Sequence, residues 1–266
     1  MTKIAFFDVD GTMINVPHQL LKPTDKTIHA LKEFQKQGNY IVVASARGVK
    51  PECLDEIPFD GFIGCDGGYI EFHQEVLLNN VFTVRDLNLQ NSVYEATNGQ
   101  YIISERATSY FSDIDGELIK KHLKLYNGTD KLPDDYDDHW RFQNIKANTV
   151  TALFHNAKDL HEALDMLPKE WSINTYDTGH IRMDVHPQGY TKGTACEYLY
   201  QKLNILKENT YAFGDGENDI EMLHLVGTSI AMGNADDEVK KHASTVTLTV
   251  DEDGIADFFE KEFKIK

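Results

Sequence analysis

The 266-residue chain has only three cysteines, Cys53, Cys65 and Cys196, an odd number with no metal-ligand spacing. That scarcity excludes a disulfide framework and a cysteine zinc site, and implies reduced, structural thiols. The eleven histidines include no HExxH pairing, so the helical zinc signature is also missing. No apolar stretch approaches the roughly 20 residues that a membrane-spanning helix requires. The first apolar run meets Asp8 too early to form the core of a secretory signal. Positive charge is short as well: 26 Lys and Arg against 43 Asp and Glu give a net charge of −17. Such a surface repels nucleic acid and anionic membranes, and a negatively charged small substrate would need a local cation. There is no repeat of fixed period and no low-complexity tract. The expectation is a cytoplasmic protein with no nucleic-acid or membrane partner.

What is present is an ordinary globular composition, 41% hydrophobic and 26% charged, long enough for one large domain or a domain carrying an inserted second one. "KIAFF" is a continuous apolar run of the kind buried on both faces of a parallel sheet. In "PTDKTIHALKEFQKQG", Thr24 is an N-cap, Ile28, Leu31 and Phe34 form an apolar stripe, and Gly38 closes the helix. "NYIVVASA" is a second strand, "PECLDEI" a short helix, and "FDGFIGCDGG" a third strand ending in a glycine-rich turn. The same rhythm returns late in the chain. "TKGTACEYLYQKLN" is a helix, "NTYAFGDG" a strand, "ENDIEMLHLVG" a helix and "TSIAMGN" a strand. Asn234 then caps "ADDEVKKHA", "STVTLTV" alternates as an edge strand, and "GIADFFEKEF" is the last helix. Strand–helix–strand units with short connections give a right-handed α/β fold with a Rossmann-like parallel-sheet core. Residues 81–184 differ: "YIISER", "TVTALFH", "WSINTYDT" and "HIRMDVH" suit an antiparallel sheet with helices on one side. This predicts a core of residues 1–80 and 185–266 interrupted by an inserted α+β domain, with the acidic "DKLPDDYDDHW" as a solvated loop.

Asp-x-Asp-Gly occurs three times, at Asp8, Asp113 and Asp251, so the pattern alone means little. Asp113 and Asp251 follow segments that are not doubly buried strands and read as turns or helix starts. Only Asp8 stands at the carboxyl end of such a strand, where open α/β sheets place their ligands. Other strand and helix ends supply companions: Ser45 and Arg47, Asp66-Gly67-Gly68, Lys192, and Gly214-Asp215-Gly216-Glu217-Asn218-Asp219. Carboxylates gathered in this way call for a hard cation, and Mg²⁺ takes oxygen ligands, commonly one or two carboxylates with waters and substrate phosphate. The set suits phosphoryl transfer. Asp8 is the candidate nucleophile, and Asp10 the acid that protonates the leaving oxygen and the base that later activates water. Lys192, Ser45, Asn218 and the backbone N–H groups around Gly11 are candidate holders of the phosphate oxygens, with Arg47 beside them.

"DVDGT", "ASAR", "TKGTA" and "GDGEND", in that order, resemble the four motifs of the haloacid dehalogenase superfamily, and the insertion resembles the large α+β (type IIB) cap of its Cof-type hydrolases. The resemblance implies a Mg²⁺-dependent phosphatase of small phosphoesters such as sugar phosphates, nucleotides or phosphorylated cofactors. It implies an aspartyl-phosphate on Asp8, with Asp10 as acid/base, Lys192 steadying nucleophile and phosphate, and Ser45 on the phosphate. The cation would be held by Asp8, the main-chain carbonyl of Asp10 and Asp215, with Asn218 and Asp219 in support. It also implies a cap that opens and closes through connections near Leu78 to Val81 and Asp184 to Gly189. Two departures stand out: Ala46 replaces the glycine common between the second motif's hydroxyl and its arginine, and Asp66 replaces an asparagine. The extra carboxylate either disfavours acidic substrates or faces away. A phosphomutase, or an inactive phosphometabolite-binding regulator, are the competing readings. The expected partner is a small phosphorylated metabolite and the expected assembly a monomer or weak dimer. His180, Arg182, Tyr110 and Trp140 are candidates for substrate contact.

Overall fold

A computed structural model describes residues 1–127, 130–132 and 139–265. They divide into two compact units, Met1–Asn79 with Tyr190–Lys266, and Asn80–Gly189. The expected junction at 184 falls inside a strand of the second unit, because the run from Arg182 to His186 pairs on both sides within that unit's sheet.

The first unit begins with β1 (Ile4–Phe7), all four residues buried. α1 (Asp25–Lys36) starts where the Thr24 side chain accepts from the Thr27 N–H, buries Ile28, Leu31 and Phe34, and ends before Gly38, whose φ of +83° only glycine adopts freely. β2 (Tyr40–Ala44) and β3 (Gly61–Gly64) run parallel to β1. The predicted short helix between them is a single 3-10 turn, Glu52–Leu54. The chain then reverses into an antiparallel pair, β4 (Tyr69–Phe72) and β5 (Glu75–Asn79). His73 and Gln74 form the turn, both in the left-handed region at φ +48° and +67°. Such hairpin turns usually carry Asn-Gly or Asp-Gly, so no sequence signal announced it.

The inserted unit contains α2 (Val84–Ala96), β6 (Gln100–Glu105), β7 (Thr108–Phe111), α3 (Glu117–Asn127), β8 (Thr149–Leu153), α4 (Ala157–Met166), β9 (Ser172–Tyr176) and β10 (Arg182–His186). Its antiparallel sheet has the order β7-β6-β8-β10-β9. Tyr101, Ile103, Val150 and Ala152 pack with Val93 and Tyr94 of α2 and Leu160 of α4 on one face. Ile102 and Leu153 point the other way and pack with Leu118, Ile119 and Leu123 of α3. Helices therefore cover both faces, not one, because consecutive apolar residues such as Tyr101-Ile102-Ile103 leave each face something to bury. Residues 133–138 of the expected acidic loop lie outside the described residues.

The chain re-enters the first unit with α5 (Lys192–Lys202), β11 (Thr210–Gly214), α6 (Ile220–Leu225), β12 (Thr228–Ala231), α7 (Asp237–Lys241), β13 (Thr245–Val246) and α8 (Gly254–Phe263). The completed sheet has the order β13-β12-β11-β1-β2-β3-β4-β5, parallel from β13 to β3, with β4 antiparallel to both its neighbours. Alternation along β1 sends Ala5 and Phe7 into a cluster with Phe34 of α1 and Phe259 of α8, and Ile4 and Phe6 into another with Leu199 of α5 and Met222 of α6. Phe7 stacks on Phe213 with centroids 5.0 Å apart. The result is a three-layer α/β/α core, as the sequence predicts. Among the described residues, no helix is long and apolar enough to cross a membrane. Cys53 is half-buried and Cys65 and Cys196 are buried, and burial pushes the Cys196 thiol far up, which keeps it inert.

Candidate active site

Phe7 of β1 lies opposite Phe213 of β11 in parallel register, and the Asp8 N–H donates to the Phe213 carbonyl at 3.0 Å. Parallel neighbours end on the same side, so the residues after β1 and after β11 meet at one sheet edge. There the chain gathers Asp8, Asp215 and Asp219, each offering a carboxylate oxygen within 4.8 Å of the others. Asp8 is 7% exposed and Asp219 fully buried.

Lys192 answers their charge. Its Nζ donates to Asp8 Oδ1 at 2.8 Å and to Asp219 Oδ1 at 2.7 Å. It stands in the first turn of α5, behind a Thr191–Thr194 capping box, and is 2% exposed. Two glycines let α5 come this close. A Cβ on Gly67 would sit 2.1 Å from the Thr191 carbonyl oxygen, and one on Gly193 2.8 Å from the backbone of Glu221 in α6. An ammonium so buried is tolerable only with partners, and it has two. Burial favours its discharge, but Asp219, Asp8 and Asp66 outweigh that and hold its pKa above the usual lysine value.

The other oxygen of Asp219 accepts from the Asp215 and Gly216 N–H groups, at 3.0 Å each. Asp219 thus anchors the lysine and the loop, and Asp8 and Asp215 are the better placed carboxylates for a cation. Burial above all raises the Asp8 carboxyl well above the ordinary range, against the pull of Lys192 and with the push of Asp219 and Asp215. Burial and then Asp219 raise Asp215 to about 6, opposed by the Thr12 hydroxyl and Lys192. Asp8 and Asp215, whose carboxyls are lifted first by burial and then by neighbouring acids, are hard oxygen donors and fit a site for Mg²⁺.

The remaining predicted residues take these positions. Asp10 is half exposed and gripped by Arg47, Nε to Oδ2 at 2.9 Å and Nη2 to Oδ1 at 2.8 Å. Arg47, expected on the phosphate, is therefore on the acid/base candidate. Ser45 is buried at the end of β2, and its Oγ accepts from the Arg47 N–H at 3.2 Å. Gly11 has φ +87°, and a Cβ there would lie 2.0 Å from Asp215 Oδ2, so any other residue would be strained and would displace the Asp215 carboxylate. Asn218 Nδ2 donates to Asp66 Oδ1 at 3.2 Å, so the departing carboxylate does not face away. Asp66 itself is left-handed, at φ +48°. Asp113 lies in the turn before α3 and Asp251 in a 3-10 turn holding Asn15 and His18, as the control reading requires. His180 bonds His122 at 3.1 Å, Arg182 lies 3.7 Å over the Tyr176 ring and 3.5 Å from Asp184, and Tyr110 packs near Trp140. All four are engaged within the inserted unit.

Two site residues were missed. Thr12 donates its hydroxyl to Asp215 Oδ1 at 3.1 Å. Asn234, expected as a helix cap, leaves that place to Asp236 and reaches Gly11, Asp215 and Val250 instead. It follows a buried strand by three residues, the same cue that selected Asp8 and Asp215.

The family model for haloacid dehalogenase-like hydrolases matches residues 5–259. The chain belongs to the haloacid dehalogenase-like hydrolase family. The family resemblance and the hydrolase class read from the sequence are thereby borne out. Among relatives of this family, the Bacillus subtilis protein named "Putative phosphatase YkrA" is 30% identical over 96% of this chain and 95% of its own. The Escherichia coli pyridoxal phosphate phosphatase YbhA is 26% identical over 97% of each. Of solved structures, the subclass IIB sugar phosphatase BT4131 is 27% identical, covers both chains fully and superposes with a TM-score of 0.79. The haloacid dehalogenase-like fold is shared still more closely, at TM-score 0.87 over 100% of this chain and 96% of the other, with BT1666 of Bacteroides thetaiotaomicron at 23% identity.

Proposed function

We propose that the chain is a Mg²⁺-dependent phosphatase that hydrolyses small phosphoesters through an aspartyl-phosphate on Asp8. The observation that carries this reading is a buried carboxylate, Asp8, held by a buried ammonium, Lys192, beside two further acids. Asp8 and Asp215 would hold the cation, which when bound draws negative charge from the phosphate oxygens. Asp8 Oδ attacks phosphorus while the bond to the leaving oxygen breaks, and Lys192, together with the charge a bound cation would supply, favours the ionised carboxylate and holds it in place. Asp10 gives its proton to the leaving oxygen and then takes one from the water that hydrolyses the acyl phosphate, so the enzyme returns unchanged. Ser45 and Asn218 hold phosphate oxygens, and Gly11 lets the backbone approach them.

The relatives' names put sugar phosphates and phosphorylated cofactors first among substrates. The partner is a small phosphorylated metabolite, not nucleic acid or membrane, and the setting cytoplasmic, with the protein a monomer or weak dimer. Phosphate release from a panel of such esters, with Mg²⁺ and with chelator, tests the reading beside Asp8→Asn. Turnover that needs Mg²⁺ and drops at least a thousandfold in the variant is the expected result. Unimpaired turnover in Asp8→Asn would exclude the aspartyl-phosphate.

A further inference from the structure

Asn234 lies on the loop after β12, exposed, yet all three polar groups of its amide have partners. Nδ2 donates to the Gly11 carbonyl at 2.8 Å and to Asp215 Oδ2 at 3.4 Å, and Oδ1 accepts from the Val250 N–H at 2.9 Å. A carbonyl on one side and an N–H on the other fix which way the amide faces, since only nitrogen satisfies the first and only oxygen the second. Asp215 is therefore oriented at both oxygens, by the Thr12 hydroxyl on Oδ1 and by Asn234 on Oδ2. The same amide ties down the Gly11 peptide, which sits so close to Asp215 Oδ2 that no side chain fits between them.

We propose that Asn234 is a positioning residue for the cation: its amide sets the Asp215 carboxylate and the Gly11 turn in the arrangement that binds Mg²⁺, and touches neither substrate nor cation itself. This rests on Asp215 being a cation ligand, not on which ester is cleaved. Groups that hold a ligating carboxylate by hydrogen bonds contribute to affinity because an unheld carboxylate must lose its freedom on binding. Residues in such roles typically account for about 10–100-fold in metal affinity.

The test is calorimetric titration of Mg²⁺ into the substrate-free protein, wild type beside Asn234→Ala and Asn234→Ser, with thermal unfolding of the metal-free forms to establish folding. Serine serves if alanine does not fold. The expected result is a Kd for Mg²⁺ raised about 10-fold or more in the folded variants, with kcat approaching that of wild type once Mg²⁺ is saturating and the KM for substrate little changed. A Kd within twofold of wild type overturns the proposal, whatever happens to activity. So does failure of both variants to fold, which would make the residue structural, and so does a wild type that binds no Mg²⁺. A wild type that binds Mg²⁺ with the expected sensitivity at Asn234 but cleaves no ester would defeat the phosphatase reading and leave this one standing.

Discussion

Arg47 grips both oxygens of Asp10 in a pair that is about half exposed on each side. Ion pairs in that setting contribute about 0.2–1 kcal/mol to stability, so Arg47→Ala should fold. Its effect should depend on the leaving group if, as proposed, Asp10 is the acid that protonates the leaving oxygen, because the arginine orients it. We expect a large loss in kcat with an alkyl phosphate and a small one with 4-nitrophenyl phosphate, whose leaving group needs no proton. Equal losses on both would return Arg47 to the phosphate. The acids below it set a pH dependence. Burial holds the folded Asp8 and Asp215 carboxyls above the ordinary carboxylate value of 3.8, Asp215 at about 6, so the folded metal-free protein holds protons that the unfolded chain has released. Stability then falls as pH rises from about 4 through those values. Scanning calorimetry in chelator should show the unfolding temperature declining from pH 5 to 7, and the increment given by Mg²⁺ growing over the same range, since cation ligands must be deprotonated.

At the scale of elements, the site depends on how closely α5 approaches the turn after β3. Gly67, at φ +100°, leaves no room for a Cβ against Thr191. Gly67→Ala should therefore push the start of α5 outward and move Lys192 off Asp8, with kcat falling at least a hundredfold while the circular dichroism stays native. Retained activity would mean that the turn yields instead. The elements carrying the site were legible because their residues obey short-range rules: a doubly buried strand, a capped helix, carboxylates at strand ends. Besides the Thr12 hydroxyl, three features escaped. The β4–β5 hairpin turns on His73 and Gln74, both left-handed and neither the glycine that such turns usually carry. α3 covers a second sheet face that alternation alone did not reveal. Asn234 bonds Gly11, far away in sequence, and an asparagine three residues before a helix reads locally as a cap.

The molecule as a whole carries a net charge of −17, and its proposed substrate is an anion. Like-charged partners repel at long range, and salt screens that repulsion within about 10 Å at 0.1 M. At fixed saturating Mg²⁺, kcat/KM should rise as ionic strength increases from about 10 to 150 mM, the reverse of a protein that steers anions inward. A falling value would point to a local positive path that the net charge conceals.

The sheet order places β1 between β2, encoded next to it, and β11, encoded some two hundred residues later. On the ribosome, the strand that bears Asp8 therefore waits with one edge bare until nearly four-fifths of the chain has been made. Lys192 and Asp215 arrive in that same late portion. A product that stops before β11 would thus lack Asp215 and Asp219 and leave the N–H and C=O groups along one edge of β1 unpaired, a template for pairing with another chain. Pairing of β11 with β1 and assembly of the acidic cluster are one event in this protein.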